Sequence, residues 1–272
     1  MEMQYFQYSD EDLVFHYSED TLPLQSNFKM HSHEQCELYY FSSGKGIFHI
    51  EGSEYALVPG DILVMREEEA HYIEIDGSTP YIRAAFHFSP ELTALIDPSG
   101  KLTEPFYDRM PGQKNLFRAD RFPDQRWRSA IETMLSAEED GRPKLMIGLI
   151  SLLWELHRVW ENSSVDGQPG RNTPLMQKVL RYINDHHTEA LSLSDLCHTF
   201  GVSRSGLCRM FKQSTGATVG EYLTVKRLAH ARALLRSGMQ STRAAALCGF
   251  TDYSAFYRAY RRRYGCSPRQ TQ

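Results

Sequence analysis

The acidic and basic side chains of this chain are segregated, and that constrains its architecture more than any other feature. Residues 1–173 carry 15 basic and 29 acidic side chains, a balance of −14, whereas residues 174–272 carry 15 basic and 5 acidic ones, a balance of +10. The formal charge of −4 over the whole chain conceals both. One domain rarely sorts its charge in this way, so the pattern predicts two domains, the second suited to a polyanionic partner. The switch coincides with a polar stretch rich in Gly, Pro and Ser between Asn162 and Thr173, which reads as a flexible linker. The expected layout is a first domain over 1–161, a linker over 162–173 and a second domain over 174–272.

Composition narrows the class. At 41% hydrophobic and 24% charged residues, the chain can bury ordinary cores and is not a disordered polyelectrolyte. No apolar run approaches the roughly 18–20 residues a bilayer demands. Met1-Glu2-Met3-Gln4 lacks the basic start and apolar stretch of a secretory signal. Five cysteines, Cys36, Cys197, Cys208, Cys248 and Cys266, are odd in number and share no CxxC spacing, which fits reduced thiols in a cytoplasm.

Residues 28 to 88 read as β-structure. Short apolar or alternating runs (Glu37 to Phe41, Ile47 to Ile50, Tyr55 to Val58, Ile62 to Met65, His71 to Ile75, Tyr81 to Phe88) are separated by Gly-, Ser- and Pro-containing turns, the spacing of a sandwich or barrel. Helical periodicity follows. Trp127, Ile131, Met134 and Leu135 share one face, and Pro143 is placed to open a second helix carrying Met146, Leu149, Ile150, Leu153, Leu156 and Trp160. The fold class expected is α+β: a β-barrel with flanking helices, then an all-α domain.

The basic domain contains a helix–turn–helix pattern twice. Ser192 and Asp195 form a capping-box start, Gly201 interrupts, and Ser203 can cap the next helix. A long amphipathic helix follows from about Glu221 to Arg236, then a short helix, Gly249-Phe250, and a helix over 252–263. In the second helix of the first unit, Leu207, Met210 and Phe211 point inward and leave Arg204, Ser205, Cys208, Arg209 and Lys212 outside. In the second unit, Phe256, Ala259 and Tyr260 point inward and leave Tyr253, Ser254, Tyr257, Arg258, Arg261 and Arg262 outside. Arg matches the major-groove edge of guanine in two-pronged fashion, and Lys and peripheral Arg suit phosphates. Two such heads suit successive major-groove segments of double-stranded DNA.

Residues from about 174 to 269 resemble the AraC/XylS family of bacterial transcription regulators. The resemblance rests on Leu196, Gly201, Ser203, Leu207, Arg209, Phe211 and Lys212, on Gly216, Tyr222, Leu223, Arg227, Ala231 and Leu235, and on Gly249, Phe250, Phe256, Arg258, Gly265 and Pro268. It implies a seven-helix domain whose base-reading positions fall at Ser205, Cys208, Arg209, Tyr253, Ser254 and Arg258. Three residues depart from the pattern. Gly206 lies inside the first recognition helix, at a cost of roughly 1 kcal/mol relative to Ala. Ser241 and Ala244 stand where the family usually places Ile or Val, so the second unit is expected to be less well packed.

In the acidic domain, His31-Ser32-His33-Glu34-Gln35-Cys36-Glu37, Gly44, Pro59-Gly60 and His71 resemble a cupin barrel, which commonly opens members of that family. On a strand, His31, His33, Glu37, Tyr39 and Phe41 share parity. Three readings of His31, His33, Glu37 and His71 stand side by side: a site for Fe, Mn, Ni or Zn, an organic-ligand pocket in which Tyr39 or Phe41 stacks on the ligand, and polar packing at the barrel mouth. The organic ligand is the favoured reading, with Arg83 and His87 as further lining residues, and it requires no catalytic residue, cofactor or metal. By the same resemblance, the last helix of the sensor pairs two subunits, through Met146, Leu149, Ile150, Leu153 and Trp160. The sum is a ligand-responsive regulator, an activator by resemblance, with promoter DNA, a small effector (a carbohydrate or related metabolite), a second copy of itself and RNA polymerase as partners, and no membrane. A metal-dependent cupin enzyme with a helical DNA-binding appendage is the alternative.

Overall fold

Alternating inward and outward side chains build two antiparallel sheets in the computed structural model, which describes residues 5–137, 141–162 and 174–271. The strands are β1 (Tyr5–Ser9), β2 (Leu13–Asp20), β3 (Cys36–Ser43), β4 (Gly46–Ile50), β5 (Ser53–Ala56), β6 (Ile62–Met65), β7 (His71–Ile75), β8 (Tyr81–Phe88) and β9 (Leu116–Phe117). One sheet has the order β1-β2-β8-β3-β6-β9 and the other β5-β4-β7. Register sets the two faces of the larger sheet. Leu38 lies opposite Phe86 and Val64, while Tyr39 lies opposite Ala85 and Leu63. The first set packs with Phe15, Trp127 and Leu149 beneath helices; the second packs with Phe48, Ile50 and Ile73 of the smaller sheet inside the barrel. Two covered faces explain why β6, Ile-Leu-Val-Met, is buried at every position instead of alternating.

Among the described residues four α-helices close the sensor: α1 (Pro90–Ile96), α2 (Glu104–Tyr107), α3 (Arg126–Leu135) and α4 (Arg142–Glu161). Pro143 occupies the first turn of α4, where its missing N–H costs nothing. Gly148 permits α4 to approach α3, because a Cβ there would lie 2.8 Å from the Ala130 carbonyl oxygen. This packing corrects the expected dimer surface. Leu149 and Leu153 are 0% and 1% exposed in the subunit's own core, and Met146 and Trp160 pack against the same core. A helix laid across a sheet needs that stripe for itself; the apolar side chains of α4 left in solvent are Ile147 and Trp154, at 60% and 48% exposure.

The expected linker lies, from residue 163 onward, outside the described residues. The second domain comprises α5 (Pro174–His186), α6 (Leu193–Phe200), α7 (Arg204–Thr215), α8 (Val219–Arg236), α9 (Ser241–Leu247) and α10 (Tyr253–Tyr264), with a 3-10 turn at Pro268–Gln270 in place of a seventh α-helix among the described residues. Helix boundaries follow the capping chemistry. Ser192 and Asp195 satisfy each other's backbone N–H groups, as do Thr218 and Glu221, while Ser203 caps α7 and Asp252 caps α10. Ser203 receives its hydrogen bond from the Gly206 N–H, so Gly206 sits in the first turn of α7, away from the interior. In the second unit, Ala244 is fully buried beside Cys248, Phe256 and Tyr260, and Ser241 shares a hydrogen bond with the Tyr253 hydroxyl at 3.0 Å. Among the described residues no helix is long and apolar enough to cross a membrane.

Candidate effector pocket and DNA-binding face

Strands β2, β3 and β8 turn one face toward the barrel interior, and their shared register gathers polar side chains there. Glu37 lies opposite His87, Tyr39 opposite Ala85, Phe41 opposite Arg83, and His16 opposite Ala85 from the other side. The result is a cavity of about 320 Å³ lined by His31, Glu37, Tyr39, His71, Arg83 and His87, together with Phe28, Tyr72 and others. His33 is not part of the wall; it stands behind Glu37. His16 is a lining imidazole that the sequence expectation lacks, since the β-structure expected from the sequence starts only at residue 28. The alternation Leu13, Val14, Phe15, His16 was the available signal.

Glu37 is the electrostatic centre. Its Oε2 is 2.8 Å from His33 Nε2, 3.1 Å from His71 Nε2 and 3.4 Å from His87 Nε2. Burial alone would raise the Glu37 pKa, yet the facing imidazoles of His87, His33 and His71 outweigh it and hold the carboxyl well below its ordinary range. Burial pushes His33 down to about 4, and burial with the neighbouring His87 pushes His16 to about 4. Burial opposes a charge on His71 as well, but the Glu37 carboxylate prevails and raises it. Tyr39 is driven upward by burial and by the adjoining Tyr81, with which its hydroxyl is hydrogen-bonded. The Arg83 guanidinium lies over the rings of Tyr81 and Phe28, 4.8 and 5.2 Å from their centroids, and pairs with no carboxylate among the described residues. The cavity therefore offers imidazole, phenol, guanidinium and carboxylate groups within one small volume, the inventory needed to bind hydroxyl or carboxylate groups on a ligand.

On the second domain, Arg204, Ser205, Cys208, Arg209, Lys212, Ser254, Arg258, Arg261 and Arg262 are exposed. None of the six cations in that set has an ion-pair partner among the described residues. Tyr253 and Tyr257 are half-buried, and the hydrogen bond to Ser241 turns Tyr253 toward α9. Arg227, one of the family-pattern residues, has a structural task. Its guanidinium donates to the carbonyls of His187 at 2.7 Å and Glu189 at 2.8 Å, tying α8 to the loop after α5.

The two domains meet through α7, α8 and α10. Glu51, at the turn between β4 and β5, is 5% exposed; its Oε1 accepts from Lys226 Nζ at 2.5 Å and from the Ala70 N–H at 2.7 Å. Its Oε2 accepts from Asn184 Nδ2 at 2.9 Å and from the Tyr222 hydroxyl. Glu34 receives Arg232 at 3.1 Å and Arg236 at 3.0 Å, and Arg263 donates to the Ser32 carbonyl. The Tyr72 ring, a wall of the cavity, lies so close to Gly216 at the end of α7 that a Cβ there would fall 2.8 Å from it. Sequence reasoning found none of these cross-domain partners, because no local period encodes contacts separated by more than a hundred residues.

A β-barrel with a polar cavity, joined to two exposed basic helix–turn–helix units, defines a DNA-binding regulator that carries its own ligand-binding domain. Comparison with known proteins agrees. A family model described as the AraC-like ligand binding domain matches residues 22–177, and one described as a helix-turn-helix domain matches residues 196–272. The chain belongs to the AraC family. It is 28% identical over 255 residues to the HTH-type transcriptional activator RhaS of Escherichia fergusonii, covering 93% of this chain and 90% of that one. It is 27% identical over 258 residues to RhaS of an Enterobacter species, with the same coverage of each chain. The crystal structure of ToxT from Vibrio cholerae aligns with 95% of this chain and 96% of its own at 10% identity and a TM-score of 0.41.

Proposed function

We propose that the chain is a cytoplasmic transcription activator that senses a small polyhydroxylated metabolite, a carbohydrate or close derivative, in the barrel cavity. The observation that carries this reading is that the cavity and the domain interface share residues. Tyr72 lines the one and abuts Gly216 in the other, and the segment that supplies His31 and Glu37 to the cavity also supplies Ser32 and Glu34 to α8 and α10. A ligand that favours one arrangement of that segment changes how α7 and α10 are presented to DNA, provided its affinity differs between the two arrangements. Activation, and contact with RNA polymerase, follow the relatives that are named as activators. Pairing of two subunits is assigned to the exposed side of α4 at Ile147, Ile150 and Trp154, in place of the buried leucines. Light scattering on Trp154→Ser would show a shift toward monomer; an unchanged mass would reject that surface.

The direct test is promoter binding by the full chain with and without sugars drawn from a thermal-shift screen. Glu37→Ala should abolish the effector-dependent change in affinity, and an unchanged response removes Glu37 from the pocket. Arg209→Ala and Arg258→Ala should each weaken specific DNA binding by about 1–3 kcal/mol. Intact affinity in both would mean that the recognition faces lie elsewhere.

A further inference from the structure

We propose that the barrel holds a divalent transition-metal ion, with His33, Glu37 and His87 as its protein ligands. This set is not the one that the spacing of the histidine motif suggests. His31 and His71 fall out of it, and His87, contributed by β8 from opposite Glu37, comes in. The ligand atoms of His33, Glu37 and His87 lie within 4.8 Å of one another. Small side-chain rotations would close them around an ion at ligand distances of about 2.0–2.2 Å.

The hydrogen-bond pattern supplies the reason for a cation. His33 Nδ1 is 2.7 Å from the Gln35 carbonyl, and His71 Nδ1 is 2.7 Å from the Glu69 carbonyl. A carbonyl oxygen only accepts, so each Nδ1 carries the proton. With the single proton of a neutral ring on Nδ1, His33 turns the lone pair of Nε2 toward Glu37 Oε2, itself an acceptor, whereas His71, whose charged form the Glu37 carboxylate favours, donates to that oxygen. At His33 acceptor faces acceptor, and His87 Nε2 approaches the same oxygen from β8. A doubly charged ion between His33, Glu37 and His87 removes that opposition and serves both imidazoles at once. The Nδ1–H to carbonyl bond is also the usual means of fixing a metal-binding imidazole in the required tautomer. Two imidazoles and one carboxylate leave coordination positions open. Glu37 and His87 both line the cavity, so those positions lie where oxygen atoms of an effector can reach them. The donor set suits Fe²⁺, Co²⁺, Ni²⁺ or Zn²⁺ over Mg²⁺ or Ca²⁺.

This site shares Glu37 and His87 with the proposed effector pocket, but it is tested separately. Metal binding is measured without DNA or effector, so either proposal can fail while the other survives. The experiment uses the full chain, stripped with EDTA and titrated with Co²⁺, whose ligand-field absorption reports imidazole and carboxylate coordination. One Co²⁺ per chain is expected, displaced by Zn²⁺. His87→Ala and Glu37→Gln should each weaken binding more than 10-fold and alter the spectrum, while His31→Ala leaves both unchanged. Circular dichroism and thermal unfolding establish that each variant is folded; for one that is not, His87→Gln replaces His87→Ala and Glu37→Asn replaces Glu37→Gln. Absence of stoichiometric Co²⁺ binding by the wild-type chain overturns the proposal. So does loss of binding in His31→Ala together with retention in His87→Ala.

Discussion

Two buried glutamates divide the labour of this molecule. Glu51 sits at the domain interface with four donors on its two oxygens: an ammonium, a phenol, a side-chain amide and a backbone N–H. Every lone pair is answered by a donor from the protein itself, which is how a buried carboxylate is made structural. Glu37, 4% exposed, gathers three imidazole nitrogens on one oxygen. At least one of those rings is held in the tautomer that offers a lone pair in return. The first arrangement is closed and needs nothing more; the second is, on the proposals above, completed by something from outside the chain. On the proposed reading, the same residue type, equally buried, serves cohesion in one place and binding in the other. What separates them is whether every partner is a donor.

The contrast is broken or sharpened first at Lys226. Lys226→Met keeps the aliphatic stem and removes the charge, leaving Glu51 buried without its cation, at an expected loss of about 3–5 kcal/mol. Denaturant unfolding of the full chain should report that loss as a lowered or split transition. A loss below about 1 kcal/mol would show that Glu51 is solvated and that the interface is not closed around it. Gly216→Ala is expected to cost less, about 1–2 kcal/mol, because it forces a side chain into the left-handed backbone conformation at φ +71°. It also drives a Cβ into Tyr72, so it should change promoter affinity in the absence of effector. Unchanged affinity would sever Tyr72 from α7.

Much of this was legible in the sequence. The six central strands, α3, α4 and the capped helices of the second domain follow from period-two and period-3.6 patterns and from Ser, Thr and Asp at helix starts, all local signals. The segregated charge revealed the division into an acidic and a basic half, and a duplicated pattern over nearly 100 residues revealed what the basic half resembles. Four things were not legible, each for a physical reason. Strands β1 and β2 precede the obvious turns, and β1 alternates only weakly. The apolar stripe of α4 fits a partner subunit and its own sheet equally well until the sheet is placed beneath it; Leu149 and Leu153 then prove to be intramolecular. Glu34, Glu51 and Lys226 read as solvated charges, since their pairing depends on how two domains dock. In the histidine motif, spacing placed His33 and Glu37 together, but only the register of β3 against β8 brings in His87.

The smallest expected change in stability belongs to Glu37→Gln. An amide has nearly the shape of a carboxylate and adds an N–H donor that can meet an imidazole lone pair, so it relieves the opposition of acceptors while removing the charge. Folding free energy should therefore move by less than about 1 kcal/mol in either direction, far below the Lys226→Met effect. The effector-dependent change in promoter affinity should nevertheless disappear, as in Glu37→Ala. Stability measured by denaturant titration and response measured by DNA binding then separate the two glutamates along different axes. If Glu37→Gln instead cost as much stability as Lys226→Met, Glu37 would be a closed structural carboxylate like Glu51, and the imidazoles around it would be donors after all.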